Sequence, residues 1–103
     1  MISYNKLASG QVIRSNFNTD VSSATAFTMK LEPQNGEVIE KTPTLGTSDV
    51  VVGDETFLAN QYCNHTTTAS EFSTYTGKWR VNATATLASS VVASDYTEFR
   101  ITE

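Results

Sequence analysis

The stretch that decides the fold is Gly77-Lys-Trp-Arg-Val-Asn-Ala-Thr-Ala-Thr-Leu87, in which apolar and polar residues alternate. It holds the only tryptophan of the chain, Trp79, and apolar residues follow it at every second position up to Leu87. Successive side chains of a β-strand point to opposite faces, so one face of this strand is apolar and the other is polar. The stretch therefore predicts a long, half-buried strand with Trp79 as the anchor of the core.

Outward from this strand, further short segments alternate in the same way. We predict a hairpin that turns at Pro33–Gly36, a short strand over Val50–Val52 and one continuous strand over Thr56–Asn64. Spacings of about 8–12 residues between strands are typical of a sandwich or a barrel. Residues 10–103 are expected to form a single all-β domain with almost no helix. The predicted core residues are Phe27, Met29, Leu31, Trp79, Val81, Leu87, Phe99 and Ile101.

The composition supports strands and narrows the classes of partner. Charged residues make up 17% of the 103 residues, against about 25% in typical domains, and 16 Thr and 11 Ser take their place. The net charge of −4 and the scattered basic residues argue against binding to nucleic acid. No segment predicts a membrane helix or a secretion signal, so we expect neither membrane association nor secretion. The single Cys63 forms no internal disulfide, which favours synthesis in a reduced cytoplasm.

Two groups of residues could carry chemistry on the strands and turns around position 60. Cys63 and His65 lie two residues apart and could point the same way, as a zinc-binding or nucleophile–base pair would. Structural zinc needs four ligands, and the chain offers no second Cys or His. Asp49, Asp54 and Glu55 flank one turn and could bind calcium, although no Asp-x-Asp-x-Asp loop is present. We interpret the first pair as a buried thiol and a surface imidazole, and the three acids as solvated turn residues.

Two larger sets of residues suggest sugar chemistry. Glu32, Glu37 and Glu40 surround the predicted hairpin, and paired carboxylates can hydrolyse glycosides, but a chain this short has little room for a substrate cleft. Tyrosines could form an aromatic face for a glycan or a partner; they are Tyr4, Tyr62, Tyr75 and Tyr96. Packing in the core and at its rim is the simpler interpretation of the tyrosines. We therefore predict no catalytic residue, no metal site and no cofactor.

The order of motifs resembles a group of small immunoglobulin-like proteins of tailed bacteriophages and prophages. The motifs are Tyr4 before Gly10-Gln-Val-Ile-Arg14, Phe27-Thr-Met-Lys-Leu-Glu-Pro33, the Asn35-Gly36 turn, Thr76-Gly-Lys-Trp-Arg-Val81 and the ending Tyr96-Thr-Glu-Phe-Arg-Ile101. In that group a Gly-x-Trp strand precedes a final strand ending in Phe-x-Val or Phe-x-Ile. The resemblance covers most of the chain, but the two cysteines of antibody domains are missing.

The resemblance implies an immunoglobulin-like antiparallel β-sandwich of about seven short strands that acts in a virion and is not an enzyme. Such a protein decorates or cements a capsid, or belongs to the neck or tail, and its partners are other virion proteins in a symmetric, multi-copy assembly. We further expect residues 1–9 to form an extended arm that contacts a neighbouring subunit through Ile2, Tyr4 and Leu7. The alternative function is a carbohydrate-binding or adhesin module, which predicts a row of exposed aromatics, for example Tyr62, Tyr75 and Tyr96.

Overall fold

The predicted long strand lies inside the largest of three described sheets. A computed structural model of the chain describes residues 2–6, 9–34, 36–68, 71–72 and 76–103. Within these residues the chain is all-β and has no helix. The strands are β1 (Ile2–Asn5), β2 (Val12–Asn16), β3 (Ala26–Pro33), β4 (Ile39–Lys41), β5 (Thr44–Leu45), β6 (Val50–Val52), β7 (Glu55–Phe57), β8 (Tyr62–Thr66), β9 (Gly77–Thr86), β10 (Val91–Ala93) and β11 (Thr97–Thr102).

The large sheet has the order β1-β11-β9-β3-β4, and β10 also pairs with β9, beyond the end of β11. Its pairs are antiparallel except for β1, which runs parallel to β11. The small sheet has the order β2-β8-β5, and β6 and β7 form a separate two-stranded hairpin. Side chains of both sheets meet in one hydrophobic core, so the sheets pack against each other.

The core follows the alternation of β9. Trp79, Val81, Ala83 and Ala85 are all buried, and the residues between them point to solvent or are half-buried. The predicted core residues Met29, Leu31, Trp79, Val81, Phe99 and Ile101 lie in the core, and Phe27 packs against it, partly buried. Leu87 does not belong to the core, because β9 ends at Thr86 and Leu87 opens the turn in which its N–H donates to Ser90 O.

The two ends of the core differ in side-chain size. Around Trp79, the ring of Phe72 lies edge-on at 5.2 Å and the ring of Phe99 stacks at 6.0 Å between centroids. Further along β9 the inward residues are Ala83 and Ala85. The strand therefore covers an aromatic cluster at its beginning and small side chains at its end.

The sequence prediction is wrong about one connection. We expected a single strand over residues 56–64, but β7 ends at Phe57 and β8 begins at Tyr62. Between them Asn60 has a φ of 65°, a left-handed conformation that interrupts a strand and that asparagine tolerates. The N–H of Asn60 donates to Gly46 O, so the break lets the chain leave the β6–β7 hairpin and enter the small sheet.

The N-terminal segment has a place in the chain's own sheet. Residues 2–5, expected as part of an arm, form β1, which pairs with Phe99–Thr102 of β11. Tyr4 packs edge-on against Phe99 at 5.8 Å, and its hydroxyl donates to Val12 O at 3.4 Å. Leu7 lies outside the described residues, and for Ile2 only the backbone is described. Contact of this segment with a neighbouring subunit stays a prediction.

Candidate interaction surface

The outer face of the large sheet carries a cluster of charges, which we call the charged end. Because Trp79 and Phe99 point inward, their neighbours on β9 and β11 point outward. The register places Arg80 beside Glu98 on one side and Glu32 on the other, and Arg100 beside Lys78. The charged end consists of Glu32, Lys78, Arg80, Glu98 and Arg100.

Arg80 is held in place from two sides. Its Nε donates to a carboxylate oxygen of Glu32 at 2.5 Å, and the ring of Tyr96 lies 4.2 Å from its guanidinium carbon. Tyr96 itself is half-exposed. A guanidinium fixed by a carboxylate and an aromatic ring loses less side-chain entropy when it binds a partner. Arginine and tyrosine are also enriched among the residues that dominate protein interfaces.

An open groove lies beside Arg80. Its volume is about 480 Å³, and it lies between the β3–β4 connection and the outward residues of β9 and β11. Lys78 and Glu98 form an ion pair of 2.6 Å across this region, and Val38 at the border is 48% exposed. Its lining residues are Glu32, Pro33, Gln34, Val38, Lys78, Trp79, Arg80 and Glu98. The groove therefore combines both signs of charge with an exposed apolar side chain.

The charged end differs from the rest of the molecule in net charge. Its three cations and two anions sum to +1, while the whole chain carries −4, so the rest of the chain carries −5. Arg100 and Lys78 are directly cross-strand, and like charges in this position repel. Lys78 is paired with Glu98, whereas Arg100 makes no ion pair with another described residue. An acidic group on a partner would relieve this repulsion.

Cys63 and His65 do not form a reactive pair in this structure. Cys63 is fully buried in the core, and burial raises the pKa of its thiol to about 12, so the thiol stays neutral at ordinary pH. His65 instead binds Glu71, with Nε2 at 2.8 Å from a carboxylate oxygen. The side chain of Glu71 is only 2% exposed, and its other oxygen lies 3.5 Å from Lys41 Nζ. Glu71 thus links β8 of the small sheet to β4 of the large sheet.

The acidic residues have separate places. Asp49 accepts a hydrogen bond from the N–H of Ala59, which fixes the approach to β8. Asp54 and Glu55 are exposed at the tip of the β6–β7 hairpin. Glu40 lies across from Lys30 in the register, and Glu37 is exposed before β4. Among the described residues, no three His, Cys, Asp or Glu side chains come together as metal ligands.

The row of exposed aromatics that the alternative, a carbohydrate-binding module, predicts does not include Tyr62, which is 3% exposed. Its hydroxyl donates to Ser48 O at 2.8 Å, and its ring covers Gly46 so closely that a Cβ there would lie 2.0 Å from the ring. Tyr75 lies outside the described residues, and Tyr96 is exposed at the charged end. Of the three tyrosines, only Tyr96 is thus described as exposed.

Neither the Glu32–Arg80–Tyr96 arrangement nor the Glu71 link could be predicted from local sequence patterns. The outward position of Arg80 follows from the alternation of β9, but Glu32 lies 48 residues before it on β3, and Tyr96 lies in the connection between β10 and β11. Glu71 lies in a Thr/Ser-rich stretch without a pattern that marks a buried carboxylate. These contacts depend on which strands pair, and local sequence patterns do not encode that.

Comparisons with family models, curated proteins and solved structures found no match to this chain. In the described part of the chain, no helix is long and apolar enough to span a membrane.

Proposed function

We propose that this domain is an immunoglobulin-like sandwich. In the variable type of that fold, strands B, E and D form one sheet, and G, F, C and C′ are neighbours in the other. The orders β2-β8-β5 and β11-β9-β3-β4 match these two arrangements strand by strand. The β6–β7 hairpin is then an addition between strands D and E. The likeness is one of strand order, because the tryptophan lies on the equivalent of strand F and no disulfide joins the sheets.

We further propose that the protein is a non-enzymatic structural component of a tailed-phage virion, as capsid decoration or cement or as part of the neck. It acts through protein–protein contacts. The resemblance of its motifs supports the virion, and the fixed Arg80 beside an open groove supports the mode of action. Arg80 of the charged end and the neighbouring Tyr96 and Val38 are exposed to a partner, and Arg100 favours an acidic group on that partner.

Particle incorporation tests this function. The chain is expressed with the structural genes of its own genome, particles are purified, and its copy number is measured by quantitative mass spectrometry. We expect a fixed stoichiometry: hundreds of copies for capsid decoration, and about 5, 6 or 12 for the neck or tail, because closed symmetry sets the number. Absence of the chain from purified particles would contradict the proposal.

Two matched variants test the surface. Arg80→Ala removes the residue held by Glu32 and Tyr96, while Lys30→Ala removes an exposed cation of the same face outside the charged end. We expect Arg80→Ala to reduce incorporation at least about tenfold, as loss of a central interface arginine does, and Lys30→Ala to leave it unchanged. Equal incorporation of both variants would place the contact elsewhere.

The N-terminal segment gives a second contact to test. β1 is a four-residue strand at the edge of the sheet, and its place beside β11 could equally be filled by β1 of a neighbouring subunit, which would make it the proposed arm. Deletion of residues 1–7 should then reduce incorporation while the shortened domain stays folded. Unchanged incorporation would rule the arm out.

The second candidate function is glycan binding, which the groove itself favours. Glu32, Gln34 and Arg80 line it with groups that can bond sugar hydroxyls, and the ring of Tyr96 covers Arg80. A glycan array separates the two functions: specific hits lost on Tyr96→Ala would favour the glycan, and an array without hits would favour the protein partner.

A further inference from the structure

At the end of the large sheet away from the charged end, one edge of the sheet is open. β10 pairs with β9 on one side, and no described strand pairs with its other side. The β9–β10 hairpin is hydrogen-bonded at two pairs, Leu87 with Ser90 and Ala83 with Ser94. In an antiparallel ladder, hydrogen-bonded residue pairs alternate with pairs that are not hydrogen-bonded. Val92, opposite Ala85, is therefore in a hydrogen-bonded pair with β9, whereas Val91 and Ala93 are not. The N–H and C=O groups of Val91 and Ala93 therefore point to the open edge.

The parts of β3, β9 and β10 at this end of the sheet carry no charge, and the nearest charged residue after β10 is Asp95. Residues 81–94 and 21–29 contain no Asp, Glu, Lys or Arg, and they pair with each other as neighbouring parts of β3, β9 and β10. We call the residues 26–28, 84–86 and 91–93 the neutral end. Val91 is 64% exposed there. Exposed edge strands are usually protected by being short, by charges, by proline or by a covering segment; β10 is short, with three residues, but contains neither a charge nor a proline.

We propose that β10 is a self-association edge: two copies of this chain join β10 to β10 in antiparallel orientation and extend the large sheet across a two-fold axis. Each chain carries −4, so two copies repel over most of their surface, and the neutral end lets their backbones meet without opposing like charges. This contact lies apart from the charged end and does not depend on the proposed virion function.

The register of the two β10 strands follows from the backbone N–H and C=O groups that point to the open edge. With Val92 at the two-fold axis, Val91 of each copy lies opposite Ala93 of the other, and their outward N–H and C=O groups form four hydrogen bonds. Ser90 then lies opposite the second copy's Ser94, so no charges meet at the flanks. The contact is small, and we expect a weak dimer that a symmetric assembly would strengthen by raising the local concentration.

The other valine-rich edge does not fit a second copy equally well. β6 is also valine-rich, and Val51 is 69% exposed. Asp49 precedes this strand and Asp54 follows it, so antiparallel pairing of β6 with itself would bring Asp49 of each copy near Asp54 of the other, with one such pair of like charges at each end. Because β6 has acidic flanks and β10 does not, Val51 serves as the matched exposed valine at which we expect no pairing between copies.

Sedimentation velocity and amide hydrogen exchange test the proposal on the full chain, at concentrations from about 1 μM to about 1 mM, the range of weak association. We expect a monomer–dimer equilibrium. As the dimer forms, exchange of the Val91 and Ala93 amides should slow, while exchange of the Val51 amide should not. A wild-type chain that stays monomeric over this range, or slower exchange at Val51 alone, would overturn the proposal.

Two substitutions at the same exposed position separate pairing from folding. Val91→Pro removes an outward N–H without removing a bond to β9, and Val91→Lys keeps the N–H but places a charge on the edge. Each should raise the dimer dissociation constant at least about tenfold. The matched variants Val51→Pro and Val51→Lys should leave it unchanged. If Val91→Lys dimerises like wild type, the β10 edge is not the contact.

Discussion

The charged end and the neutral end lie on one sheet and share strand β9, yet they are built differently on both faces. Under the charged end, Trp79 stacks on Phe99, and the outer face carries ion pairs. Under the neutral end, the inward residues of β9 are Ala83 and Ala85, and the outward residues Thr84 and Thr86 have no charge. The first end can bind through specific side chains, whereas the second has mainly its backbone edge to offer a partner.

The largest expected effect concerns the two ends of the core. Trp79→Ala should lower the free energy of unfolding by about 3–5 kcal/mol, because it leaves a large cavity beside Phe72 and Phe99. Phe27→Ala should cost less, because Phe27 is only partly buried near the neutral end. Urea denaturation of both variants measures the difference. Equal losses would show that the two ends contribute alike to the core.

Overpacking tests the small-residue core directly. Ala85 is fully buried, so Ala85→Leu should destabilise the fold by about 1–3 kcal/mol. Thr86→Leu places the same side chain one residue further on, on the outer face, and should change stability by less than about 0.5 kcal/mol. Thermal unfolding at low protein concentration compares the two. A tolerated leucine at position 85 would mean that space is left between the sheets at the neutral end.

The pH dependence of stability tests whether the Cys63 thiol is buried away from water between the two sheets. Burial raises the pKa of its thiol to about 12, from an ordinary value of 9.0. Above about pH 9 the unfolded chain releases this proton while the folded chain keeps it, so stability falls as pH rises, by up to about 1.4 kcal/mol per pH unit. Urea denaturation of wild type and Cys63→Ala between about pH 8 and pH 10 should give a steeper loss for wild type. Parallel pH profiles would contradict a buried, neutral thiol.

The smallest effect is expected for the exposed ion pair of the charged end. Lys78 and Glu98 are each about half exposed, so a double-mutant cycle to alanine should give a coupling below about 1 kcal/mol that decreases with added salt. Thr84→Ala at the neutral end should show no such salt dependence. A large, salt-independent coupling would mean that the charged end supports the fold itself and does not serve mainly for binding.

Much of the fold could be predicted from local patterns, and some of it could not. The alternation of residues 77–86 predicts the strand, its buried face and the outward position of Arg80, because side-chain direction in a strand repeats every two residues. Leu87 and the strand over residues 56–64 were mispredicted, because apolar residues continue past the points where Thr86 ends β9 and Asn60 turns the chain. A turn that depends on a distant bond, such as Asn60 N–H to Gly46 O, leaves little local signal.

By itself, the sequence determined the strand class, the apolar face of β9 and the absence of charge in residues 81–94, since these are properties of neighbouring residues. Only the tertiary structure decided which charges meet. It joined Glu32 to Arg80, placed β1 parallel to β11 and left the outer side of β10 without a partner among the described strands. The physical reason is that pairing partners and register are set by contacts between residues far apart in the chain, and strands of similar composition can satisfy the same local pattern in several ways.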